Sequence, residues 1–67
     1  MARLVTEANI DDPDGFFAEL LAVHEELTPE ASAALNARLI LILANHVGDR
    51  GALSEALALA ARSGRTG

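Results

Sequence analysis

Apolar side chains recur at helical spacing in three stretches of this chain, each preceded by a helix-start signal. The first stretch carries Phe16, Leu20, Val23 and Leu27, with Phe17, Leu21 and His24 beside them. That stripe predicts an amphipathic helix over about residues 13–27, with Ala18, Ala22, Glu25 and Glu26 on its outer side. Ahead of it stands Asp11-Asp12-Pro13-Asp14. Asp12 can act as N-cap, Pro13 suits the first helical position, and Asp14 favours the positive end of the helix dipole. Gly15 weakens the first turn slightly.

Thr28-Pro29-Glu30 repeats the signal of cap, proline and acid. A second helix is predicted over about 29–47, ending at Gly48, a residue suited to a left-handed cap. A link this short between two helices predicts an antiparallel hairpin. The first half of the second helix is small and alanine-rich (Ala31, Ala33, Ala34, Ala37), whereas Leu39 to Ala44 is apolar all the way round. A helix hydrophobic on every side must be covered on every side, and two short neighbours cannot do that. The pattern therefore calls for a second chain, meeting Leu35, Leu39, Ile40, Leu41, Ile42, Leu43 and Val47. Asp49 can cap a third helix over about 50–62, with a narrow stripe of Leu53, Ala56, Leu57 and Ala60 and with Arg62 near its negative end. Residues 1–10 read as an arm docking through Leu4, Val5 and Ile10, and 63–67 as a flexible polar tail. The predicted architecture is all-α: one domain of three helices over 11–62, the first two a helical hairpin, assembled as a homodimeric helical bundle.

Composition strengthens the case for association. A chain of 67 residues buries only about 60 % of the surface its unfolded form exposes. Disulfides, a structural metal or a partner usually make up the shortfall, and this chain has no cysteine. Ala and Leu dominate, while β-branched residues are few and never alternate with polar ones, so strands have little support. The net charge is −5 and every cation is an arginine, a balance that argues against nucleic acid and against anionic membrane surfaces. The run Leu39 to Ala44 is far too short to span a bilayer. Met1-Ala2-Arg3 lacks the apolar region of a signal peptide, so a cytoplasmic location is the default.

Candidate chemistry is sparse. His24 lies between Leu20 and Phe17 on the first helix, and His46 shares a stripe with Leu35, Leu39 and Ile42 on the second, which makes the pair metal candidates. The simpler account is a hydrogen-bonded histidine at the edge of a core. In a hairpin turning at Thr28 the two would lie roughly 20 Å apart at about 1.5 Å per residue, so one chain cannot bring both to one ion. His24-Glu25-Glu26-Leu27-Thr28 begins like a zinc-protease helix but lacks the second histidine. The hairpin would carry Asn45, His46 and Asp49 back towards Asp11, Asp12 and Asp14, where a histidine–carboxylate cluster could pin its open end. Arg38 and Asn45 share a second face of that helix and could fix the register of an interface; an arginine in such a place more often lies along a surface edge. Ser32, Ser54 and Ser63 have no base within helical reach, and no phosphate-binding loop is present. In a helix-turn-helix about Gly48 the third helix would offer no Lys, Asn or Gln for base edges and carries Arg only near its ends.

Asp11-Asp12-Pro13-Asp14-Gly15-Phe16-Phe17, followed by the run from Leu35 to Asp49 (Leu-Asn-Ala-Arg-Leu-Ile-Leu-Ile-Leu-Ala-Asn-His-Val-Gly-Asp), resembles a family of short bacterial proteins of unknown function, DUF2783. The resemblance covers about residues 9–60, and the second segment is its specific part. It implies a bacterial cytoplasmic protein, an association with genes for oxidising aromatic compounds, and no established activity or functional residues. The function expected from all this is non-catalytic: an interaction or accessory protein, without cofactor, self-associating through the apolar face of the second helix. Its partner is its own copy, a larger protein, or both. Two alternatives stand beside it. One is a small-ligand or metal-binding dimer, accessory to an oxidative enzyme, with His24, Arg38, Asn45 and His46 around a site between chains. The other is an acidic antitoxin-like partner.

Overall fold

The computed structural model describes residues 3–63, and among them the only regular elements are three α-helices: α1 (Pro13–His24), α2 (Pro29–Val47) and α3 (Arg50–Ser63). Residues 64–67 of the predicted tail lie outside the described residues, and Ser63 closes α3.

Local chemistry sets each helix start. Asp12 caps α1: its Oδ1 accepts from the Gly15 N–H at 3.2 Å, and its carbonyl from the Phe16 N–H at 3.1 Å. The cap is unusual because Asp12 sits in the left-handed region at φ 52° and ψ 65°. This geometry also explains Gly15, which the sequence presents only as a slight weakness. A Cβ at that position would lie 2.8 Å from the Asp12 Cγ and collide with its carboxylate. Thr28 caps α2, its Oγ1 accepting from the Ala31 N–H at 3.1 Å and its carbonyl from the Ser32 N–H at 2.9 Å. Asp49 caps α3, with Oδ2 accepting from the Ala52 N–H at 2.7 Å. Between the last two helices Gly48 adopts φ 73° and donates its N–H to the Ala44 carbonyl at 2.9 Å, a left-handed stop followed at once by a new start.

α1 ends three residues earlier than its apolar stripe predicts. Glu25 turns to an extended backbone (φ −58°, ψ 136°) and Glu26 to positive φ, 66°, so Leu27 leaves the helix. Glu26 has a side chain, and the left-handed region costs it about 1 kcal/mol or more.

Packing among these elements is slight. α2 and α3, joined through Gly48 and Asp49, make only slight contact, and Ala52 is the only buried apolar residue among those described. α1 does not lie along α2. The N-terminal arm reaches α3, the Leu4 N–H donating to Glu55 Oε1 at 3.2 Å. Leu4 is half-buried there, whereas Val5 and Ile10 stay exposed, so the arm docks through one of its three predicted anchors.

The consequence is an open molecule. Its radius of gyration is 13.6 Å, against about 11 Å for a compact chain of this length. Its accessible surface is 5894 Å², whereas a compact monomer of its mass exposes about 4,000 Å².

Candidate interaction surface

Most of the exposed large apolar side chains among the described residues lie on the helices. On α2 every side of the second half is open: Ile40 is 63 %, Leu41 70 % and Ile42 64 % exposed, with Leu43 and Val47 beside them. Successive residues on a helix point about 100° apart, so four consecutive exposed apolar side chains face almost every direction. Leu35 and Leu39, nearer the turn, are half-buried. The seven residues predicted to meet a partner thus divide into two that are partly covered and five that are not. α1 adds Phe16, Phe17, Leu21 and Val23, all exposed, and α3 adds Leu57 at 71 %. Scattered apolar residues on a surface are ordinary, but one buried apolar residue among those described, with open apolar faces on three helices, is not.

One polar contact ties α1 to α2. His24 Nδ1 lies 3.0 Å from Ser32 Oγ, both side chains being partly buried. Ser32 has no base within reach on its own helix, and the structure supplies one from the helix across the turn. The contact spans the interhelix turn, and the two residues stand equally far in sequence on either side of the cap Thr28. That symmetry about a cap–proline pair is the signal that could have found it. His24 thus has a hydrogen-bonding partner across the turn. The contact ties the last residue of α1 to the start of α2, as a latch across the turn.

The other candidate residues are not brought together within one chain. Asp12 and Asp49 are occupied as caps of different helices. Asp14 lies in the first turn of α1, and Arg38, Asn45 and His46 are exposed on α2. With α1 held off α2, the open end of the hairpin is not closed, and no bond joins His46 to Asp12, Asp14 or Asp49 among the described residues. Nor do any described His, Asp or Glu side chains cluster as a set of three that could hold a metal ion. An open concavity of about 410 Å³ is lined by the arm itself, Val5 to Ile10, and by Pro13, with Glu7 its one charged lining residue. Among the described residues no helix is long and apolar enough to cross a membrane.

Residues 4–62 match the model of one family, described as protein of unknown function (DUF2783). No curated protein and no solved structure matches the chain.

Proposed function

The chain belongs to the DUF2783 family, and we propose that it works as a non-catalytic interaction protein whose folded unit is a homodimeric helical bundle. The apolar face of α2 (Leu35, Leu39, Ile40, Leu41, Ile42, Leu43 and Val47) forms the centre of the interface. Surface area carries this reading. Relative to a compact monomer, each chain exposes an extra 1,900 Å², roughly. Two chains hiding that excess against each other would bury about 3,800 Å² in total, within the range of obligate homodimers, about 2,000–5,000 Å². A monomer left open buries only about 40 % of its unfolded surface, too little to offset the chain entropy of ordering three helices.

The chemistry of the surface supports binding over catalysis. Its exposed centre is aliphatic, and polar groups flank it: Arg38 and Asn45 on one side of α2 and His46 at its C-terminal end. Flanking groups of this kind fix the register of a helical interface more than they add affinity. A larger protein partner could still dock on what the dimer leaves open, Leu57 on α3 among it.

Concentration tests the reading. A chain that folds only as a dimer unfolds at a temperature that climbs with protein concentration, because association is part of its stability. Far-UV circular dichroism melts over a hundredfold range of concentration should show that climb. A midpoint independent of concentration would refute the dimer.

A further inference from the structure

We infer that the dimer is helix-exchanged: α1 of each chain packs along α2 of the other chain and not along its own. This rests on the homodimer reading above and adds to it the element that occupies the α2 surface.

Three observations lead there. First, α1 is an apolar helix without a surface to cover it. Phe16, Phe17, Leu21 and Val23 are exposed, although only four residues separate α1 from the apolar α2. Second, the link between them is built to hold the two helices apart. Glu25 is extended, Glu26 is left-handed, Thr28 is extended in its role as cap, and Pro29 has a fixed φ. The His24–Ser32 contact then ties the last residue of α1 to the first turns of α2. With the link in this conformation α1 stands off its own α2, and receiving the α2 of a second copy leaves the link as it is. Third, α2 needs cover on several sides at once. α3 makes only slight contact with it, and α1 of the same chain does not lie along it. A second copy brings two helices, its own α1 and α2, and so supplies cover for two more sides. Short links that keep helices apart favour such exchange, which lets two chains make contacts that neither can make alone.

The absence of cysteine makes the test direct. Ala18→Cys places a single thiol on an exposed position of α1 outside the apolar stripe, and a nitroxide attached there broadens nearby amide signals. Nitroxide-labelled chain without ¹⁵N is mixed with ¹⁵N chain that carries no label, so broadening in the spectrum reports contacts between chains. The reverse experiment dilutes nitroxide-labelled ¹⁵N chain into excess unlabelled chain and reports contacts within a chain. Helix exchange predicts loss of Leu35–Leu43 amide intensity in the first mixture, greater than in the second. Greater loss in the second, with dimer mass retained, overturns the exchange and leaves the dimer standing. Monomer mass in both mixtures overturns the dimer and the exchange together. Should Ala18→Cys fail to fold, Ala22→Cys offers a second exposed position on the same side of α1.

Discussion

Removing the carboxylate that starts α3 offers a quantitative test of how these helices are specified. Asp49 is half-buried, and its Oδ2 accepts from the Ala52 N–H at 2.7 Å, the shortest of the three caps; the equivalent bonds are 3.1 Å at Thr28 and 3.2 Å at Asp12. Ala52 is also the one buried apolar residue among those described, so this cap fixes the helix where α2 and α3 meet. Asp49→Ala keeps the backbone bond from the Leu53 N–H, 3.1 Å, and removes the side-chain bond together with a negative charge at the positive end of α3. A lost cap costs about 0.5–2 kcal/mol and the lost charge about 0.3–1 kcal/mol. For a short, partly buried bond the upper part of that range applies, about 2 kcal/mol in all. In a domain of this size each kcal/mol lowers the melting temperature by about 4–8 °C, so the drop should be about 10 °C. Asp49→Asn keeps an acceptor and loses only the charge, so it should fall by a few degrees. Melts followed by far-UV circular dichroism at one fixed protein concentration decide the matter. If Asp49→Ala melts with the parent, or Asp49→Asn falls equally far, the cap does not work as described.

Other substitutions probe the remaining parts. Gly15→Ala, which in an open helix gains about 0.5–1 kcal/mol, should give no gain and lower the melting temperature, because the new Cβ displaces the Asp12 carboxylate. A clear rise in that temperature would show that the left-handed Asp12 cap is dispensable. Leu41→Glu removes one of the most exposed apolar side chains of α2 from each chain of a dimer. At about 1.5–3 kcal/mol per buried leucine, two copies should weaken dimerisation about 10²- to 10⁴-fold, measurable by sedimentation. An unchanged dissociation constant would move the interface off that side of α2. Ser32→Ala removes the latch to His24 and should cost about 0.5–1.5 kcal/mol, with a change in the His24 imidazole signals by NMR. Unmoved imidazole signals would mean that the contact does not form in solution.

What could be read from the sequence was mostly local. The starts of all three helices follow from Asp12-Pro13, Thr28-Pro29 and Asp49, and the end of α2 from Gly48, because caps and left-handed stops depend on residues a turn apart. The C-terminal end of α1 was not legible. Leu27 continues the apolar stripe in sequence, yet a left-handed Glu26 takes it out of the helix, and nothing about a glutamate announces that conformation. The purpose of Gly15 was hidden for a related reason: it depends on where the Asp12 carboxylate turns, which the residue type alone does not set. The apolar character of α2 was plain from Leu39 to Ala44, and the structure leaves most of that band open. The angle between α1 and α2 was not plain, since a short link fixes that two helices are neighbours without fixing that they pack. The same gap explains why the His24–Ser32 contact was not read from the sequence, and why the acidic residues near α1 did not come to His46.

Self-association is the claim on which the rest depends, and native mass spectrometry of the full chain at low micromolar concentration measures it most directly. The expected result is a species of twice 7.0 kDa with no additional mass, which shifts towards monomer on dilution. A helical species of 7.0 kDa alone, at every concentration up to the highest that stays soluble, would contradict it.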